Sequence, residues 1–270
     1  MVENLSGHTA LITGGSSGIG LAVAEACARR KMKVILVALP GPELNEAARS
    51  LTADYGIAVL SLGIDLTEKS APQRVFDWCR KQGLVVSILV NNAGLAGAVR
   101  FDESTPEYSD SRIQLNIRAL VLLTRFFIPS MKELPEAVIL NIGSLAGFYS
   151  IPFKSVYSAT KAFVIAFSRA LDEELKHTAV KVKVLCSNGV PTNHGTVSRM
   201  ESHGWKARIT MISSERLADF TLKRLFRKGT VIVPGFANRL LRVIGRLIPS
   251  RLAQRMLYRE FQKELVDRSD

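Results

Sequence analysis

Short apolar runs alternate with longer amphipathic stretches through the first 190 residues, and this rhythm restricts the chain more than any other feature. Runs at 9–13, 34–38, 59–62, 88–90, 137–142 and 182–185 have the length and β-branched content of strands, and helical spacing fills the gaps between them. Such alternation predicts a parallel sheet with helices on both faces, an α/β fold with a doubly wound parallel sheet. No repeat period or Pro/Gly-rich linker divides this part, and 47% apolar content over 270 residues is ample for one core. A helix is expected over 213–226 and an edge strand over 231–233. Pro234-Gly235 then marks a boundary between a domain at 1–235 and a basic helical extension at 236–270.

Directly after the first strand come Gly14, Gly15, Ser16, Ser17, Gly18, Ile19 and Gly20, followed by a helical pattern. A strand turning sharply into a helix points free backbone N–H groups along the positive end of the helix dipole. Glycines there let a pyrophosphate approach without Cβ clashes, as in Rossmann-type dinucleotide sites. The spacing is G-x-x-x-G-x-G rather than the commoner G-x-G-x-x-G, and alone it also fits a tight strand–helix turn with no ligand. The second strand ends at Ala38-Leu39-Pro40-Gly41, with neither the acid that selects NAD nor the arginine that selects NADP. NADP is slightly favoured over NAD by that missing acid. Glu43 follows Pro42 in the first turn of the next helix, where the dipole alone favours a carboxylate.

Tyr157 and Lys161 stand four residues apart at the start of a helix and share one face. A phenol with a pKa of about 10 is a poor base at neutral pH, and a nearby ammonium is expected to lower that value. Ser144 follows the strand at 137–142 at its carboxyl end, where open α/β sheets place their ligands. Its hydroxyl could hold a substrate oxygen while Tyr157 exchanges the proton. On their own, Tyr and Lys at this spacing would be an ordinary exposed pair.

Together these residues resemble the short-chain dehydrogenase/reductase family, over roughly residues 5–192 and with the motifs in the family's order. The resemblance rests on the glycine loop, Asp65-Leu66, Asn91-Asn92-Ala93-Gly94, Asn116, Ser144 and Tyr157-x-x-x-Lys161. It implies a nicotinamide-dependent oxidoreductase that moves a hydride between NAD(P)(H) and a carbonyl/alcohol pair. Asn116, Ser144, Tyr157 and Lys161 would be catalytic. Gly14, Ser16, Ser17, Gly18, Ile19, Gly20, Asp65, Leu66, Asn91, Ala93, Gly94, Tyr157 and Lys161 would hold the cofactor. Asp65 and Leu66 would flank the adenine, Asn116 would hold a water of the proton relay, and Lys161 would bind the nicotinamide ribose. The family's Pro-Gly after the sixth strand is replaced by Ser187-Asn188-Gly189, with Val190 and Thr192 still at positions that would meet the nicotinamide carboxamide. That departure motivates a second reading, a non-catalytic or regulatory NAD(P)-binding protein.

A mobile substrate lid would occupy 193–213, with Met200, Trp205 and Met211. Phe148, Tyr149, Ile151 and Phe153 could line an apolar pocket or simply pack in the core. The extension resembles a bacterial branch of the family, which favours a hydrophobic ketone such as a long-chain 3-oxo compound. An apolar helix face at Phe163 and Phe167 resembles one used for dimer contacts, implying a homodimer or homotetramer.

Of the formal charge of +12, +8 lies in residues 222–270, where twelve Lys/Arg face four acids. Arg251, Arg255, Arg259 and Lys263 recur every four residues, a like-charge spacing that costs a few tenths of a kcal/mol per pair, partly relieved by Glu260 and Glu264. This is either a solvated face or a docking face for an anionic membrane surface or an acidic carrier of a lipid-like substrate. Nucleic acid is disfavoured, since the cations accompany an apolar helix face with few interleaved aromatics. Cys27, Cys79 and Cys186 suit neither a disulfide framework nor a metal site and read as small buried hydrophobes of a reducing compartment. With neither a signal-peptide pattern nor a membrane-spanning apolar run, a cytoplasmic protein is expected, with peripheral membrane contact open to the tail.

Overall fold

The computed structural model describes residues 5–188, 212–248 and 250–266. The apolar runs form β1 (Thr9–Thr13), β2 (Lys33–Ala38), β3 (Val59–Gly63), β4 (Ile88–Asn91), β5 (Ala137–Ile142) and β6 (Val180–Leu185), and β7 (Val231–Ile232) adds the expected edge strand. Every pairing is parallel, in the order β3-β2-β1-β4-β5-β6-β7. The chain winds outward from β1 through β2 and β3, then crosses to β4 on the other side of β1. This reversal opens a crevice at the carboxyl ends of β1 and β4.

Side-chain alternation along the strands splits the core into two layers. Ala10 and Ile12 of β1 pack with α1 (Gly18–Arg29), α2 (Pro42–Tyr55) and α7 (Ser214–Leu222), whereas Leu11 packs toward α3 (Ala71–Lys81) and α5 (Leu120–Lys132). All three cysteines are free and buried, and burial pushes each thiol up to about 12. Lys183 in β6 is 2% exposed, an unusual interior cation, and its Nζ donates to the carbonyl oxygens of Arg227 (2.6 Å) and Gly229 (2.8 Å). Those bonds satisfy the ammonium and close the turn before β7.

The helical stretch around Asn116 is built of α4 (Pro106–Ile113), a π-helical segment at Gln114–Ala119 and α5. A π segment widens the backbone by one residue per turn and is frequent at functional sites. It sits against α6 (Ser155–Glu174), the helix that carries Tyr157 and Lys161.

Two helices form the extension, α8 (Phe236–Leu247) and α9 (Ser250–Val266). The Tyr149 hydroxyl donates to the Leu241 carbonyl at 2.8 Å, and the Arg242 guanidinium lies 4.8 Å from the Phe148 ring centre. Arg239 Nε donates to the Val233 carbonyl at 3.0 Å. The extension is thereby tied to the loop that follows Ser144. Much of its apolar surface stays in solvent: Phe236, Leu240, Leu241 and Val243 on α8 and Leu252 and Met256 on α9 are exposed.

Candidate active site

The glycine loop lies at the reversal point of the sheet. Gly14 and Gly18 have φ of +62° and +56°, in the left-handed region that disfavours side chains. A Cβ on Gly20 would stand 2.1 Å from the Gly14 carbonyl oxygen, so only glycine lets the first turn of α1 close over the loop. Ser17 caps α1 without a side-chain hydrogen bond and the first turn holds no acid. The leading N–H groups of α1 are thus left without side-chain acceptors at the positive end of the dipole, an arrangement suited to a pyrophosphate. These features fit NAD(P).

The loop is held from below by Asn92, within the Asn91–Gly94 motif, and by Thr13, which sequence reasoning left out of the candidate site. Thr13 Oγ1 accepts from the backbone N–H of Asn92 (2.9 Å) and Ala93 (3.0 Å) and donates to the Val90 carbonyl (3.3 Å). Asn92 Nδ2 donates to the carbonyls of Thr13 (2.9 Å) and Gly14 (3.0 Å). A hydroxyl residue ending β1 beside a polar strand end at β4 was the available signal. Gly94 packs next to Asn116, whose Oδ1 would lie 3.1 Å from a Cβ there.

Asn91 points elsewhere. It is 4% exposed, and its Nδ2 donates to Thr124 Oγ1 (3.0 Å) and Asn141 Oδ1 (2.9 Å), while Asn141 Nδ2 donates to Ser168 Oγ (2.9 Å). Its side chain therefore staples β4, β5, α5 and α6 together rather than reaching the crevice. Asp65 Oδ1 accepts from Thr67 N–H and Oγ1 at 2.8 and 2.7 Å, forming an Asx turn after β3, and Leu66 is buried beneath it. Glu43 occupies the first turn of α2, where the dipole favours it.

Ser144, Tyr157 and Lys161 come together at the end of β5. The Ser144 hydroxyl stands near enough to the Tyr157 phenol to lower its pKa, and Ser144 Oγ accepts from the Ala146 N–H at 3.1 Å. Lys161 Nζ, 7% exposed as a residue, donates to the Ile142 carbonyl at 2.7 Å and stands 5.9 Å from the Tyr157 ring centre. Contrary to expectation, the phenol pKa is raised: burial pushes it up, and the Ser144 hydroxyl offsets part of that rise. Lys161 itself is lowered to about 8, because burial disfavours its charge. At neutral pH the Tyr157 phenol is therefore protonated.

Asn116 adjoins the group without a free amide. Its Oδ1 accepts from the Leu95 N–H (2.8 Å), and its Nδ2 donates to the Leu95 carbonyl (3.0 Å) and to Thr160 Oγ1 (3.1 Å). It clamps the loop after β4 to α6, and Thr160, also absent from the candidate set, completes the clamp. The atypical turn after β6 keeps its backbone contact, as the Leu145 N–H donates to the Ser187 carbonyl at 2.9 Å. Val190, Thr192 and nearly all of the expected lid at 193–213 lie outside the described residues. Phe148, Tyr149 and Ile151 line a cleft of about 800 Å³ beside α6, while Phe153 packs against Tyr258 with ring centres 5.0 Å apart and the planes tilted by 47°.

Fold and site together define a Rossmann-type α/β domain with a glycine loop at the reversal point of its parallel sheet. The chain belongs to the short chain dehydrogenase family, whose sequence profile matches residues 8–202. It is similar to a very-long-chain 3-oxoacyl-CoA reductase of Anas platyrhynchos, 35% identical over 72% of this chain and 63% of that protein. The chain thus spans somewhat less than two thirds of that relative's length. Ketoacyl reductase HetN of Nostoc is 29% identical over 96% of this chain and 91% of its own. Among solved structures, a short-chain dehydrogenase from Sphingobium yanoikuyae in complex with NADPH superposes with a TM-score of 0.75. It is 32% identical and covers 88% of this chain and 93% of its own.

Proposed function

We propose that the chain uses NADPH to reduce the 3-oxo group of a long-chain, apolar acyl substrate. The observation that carries the reading is the Ser144–Tyr157 hydroxyl pair at the carboxyl end of β5, with Tyr157 held in its protonated form by burial. NADPH supplies the hydride when bound. Toward the substrate, the Ser144 and Tyr157 hydroxyls both donate to the carbonyl oxygen, stabilising the negative charge that develops there. Tyr157 then gives its proton to that oxygen as the carbon receives the hydride, yielding the alcohol. Lys161, by family resemblance, orients the nicotinamide ribose, and the Thr13–Asn92 bonds keep the loop that takes the pyrophosphate in shape.

The acyl substrate is supported by the names of the similar reductases. NADPH is favoured by the lack of an acid after β2, where Leu39 is 64% exposed, and by the bound cofactor of the Sphingobium structure. Phe163 and Phe167, stacked 5.8 Å apart on α6 with Phe163 exposed, support a homodimer or homotetramer through that face. The exposed apolar residues of α8 and α9, set among cations, support docking on an anionic membrane surface. Among the described residues, no helix is long and apolar enough to cross a membrane.

The test is a series of 3-oxoacyl thioesters of rising chain length. Each added methylene that is buried contributes about 0.8 kcal/mol, so kcat/KM should climb about fourfold per carbon until the site is filled. Rates independent of chain length would refute the substrate class.

A further inference from the structure

The cleft of about 800 Å³ beside α6 is separate from the hydroxyl pair. On α6 it is bounded by Ser155, Ser158, Ala159 and Ala162, and neither Tyr157 nor Lys161 lines it. At 100° per residue, Ser155, Ala159 and Ala162 cluster on a face of the helix well over 90° from Tyr157 and Lys161. Its floor is apolar, from Phe148, Ile151 and Pro152 together with the two alanines. The volume is that of a small-molecule site.

The opposite wall is α9, which contributes Arg251, Gln254, Arg255 and Tyr258, one face at i, i+3, i+4 and i+7. Two of the regularly spaced arginines of the tail are therefore turned toward the same apolar cleft, where like charges one turn apart repel. No carboxylate lines the cleft, and among the described residues neither Arg251 nor Arg255 makes an ion pair. An open, apolar-floored cleft whose two guanidinium groups make no ion pair among the described residues is complementary to a ligand with an acyl chain and an anionic head.

We propose that the α6–α9 cleft is a second binding site, for a single-chain anionic amphiphile such as a fatty acid. The acyl chain lies against Phe148, Ile151, Ala159 and Ala162, and the carboxylate bridges Arg251 and Arg255. Binding removes the repulsion between the two arginines and fastens α9 to the body of the domain. The inference does not depend on the proposed substrate, because it is read out by binding rather than turnover.

The probe is dodecanoate below its micelle concentration, titrated into the full chain by calorimetry with 1-dodecanol and butyrate alongside. Dodecanoate should bind at least about tenfold tighter than either control, since one lacks the charge and the other the chain. The pair R251Q/R255Q should weaken dodecanoate by about tenfold or more, and A162W, at an exposed position that leaves the core untouched, should abolish binding. Turnover of a short ketone should survive both variants, showing that they fold. Hydrogen exchange should slow at 147–162 and 251–258 on adding dodecanoate. Equal affinity for dodecanol, unchanged binding in A162W, or protection confined to residues outside those segments would overturn the proposal. So would protection of the cleft that appears without ligand and grows with protein concentration, which would give the surface to a second copy of the chain.

Discussion

Lys161 donates to the main-chain oxygen of Ile142 at 2.7 Å, tying the helix that carries Tyr157 to the end of the strand that leads to Ser144. One bond thus sets the distance between the two hydroxyl-bearing elements, and it holds the ammonium 5.9 Å from the Tyr157 ring centre. Burial lowers this lysine from 10.5 to about 8, so it is charged below that pH and neutral above it.

A pH dependence follows from that value. In the reductive direction kcat/KM should fall as pH rises through about 8, where Lys161 loses the proton with which it holds the cofactor. Lys161→Arg, which stays protonated, should remove this inflection while lowering the rate. The folded state holds this proton less tightly than the unfolded chain does. The unfolded state therefore binds more protons between about 8 and 10.5, and the lysine's contribution to stability rises with pH across that window. Rate profiles and denaturant melts at matched pH check the two halves.

Gly20→Ala should remove cofactor binding. The added Cβ would meet the Gly14 carbonyl oxygen at 2.1 Å and Asn92 Nδ2 at 2.5 Å, so the loop must open and lose its fit to the pyrophosphate. Calorimetry with NADPH should show at least about a hundredfold weaker binding, equal to about 2.7 kcal/mol. Affinity within a few fold of the parent would count against the placement of the cofactor.

Asn141→Ala should destabilise the fold by about 2–4 kcal/mol. The side chain is 0% exposed and joins Asn91 to Ser168, and its loss strands a buried amide donor and weakens the hold of β5 on α6. Urea unfolding monitored by circular dichroism measures the difference.

Vesicle sedimentation separates a solvated tail from a membrane-docking one. Anionic vesicles should retain the protein at low salt and release it as ionic strength rises, and the exposed Phe236→Ser change on α8 should weaken retention severalfold. Equal partitioning to neutral and anionic vesicles would remove the electrostatic part of the reading.

Periodicity made the sheet legible in sequence, because strands buried on both faces must be continuous apolar runs, and each of the six expected runs became a strand within two residues of its ends. The glycine loop and the Ser144, Tyr157 and Lys161 group were legible for the same local reason, fixed spacing around a strand end. Tertiary partners were not. Whether Asn91 faced the crevice or the interior depended on Thr124 and Asn141, 33 and 50 residues away in sequence. The direction of the Tyr157 shift depended on the burial that tertiary packing imposes on its hydroxyl. Thr13 and Thr160 looked like ordinary strand and helix residues until their hydroxyls met loops distant in sequence. The π segment at Gln114–Ala119 left no sign in composition, since such a segment is set by what packs against it.

Proton transfer by Tyr157 is most directly tested by Tyr157→Phe, with ketone-dependent NADPH oxidation and NADPH affinity measured on the same preparation. The expected result is a fall in turnover of about a hundredfold to ten-thousandfold with the cofactor Kd unchanged within a few fold, because only the proton donor is lost. Turnover equal to the parent's would contradict the assignment of Tyr157 as the donor.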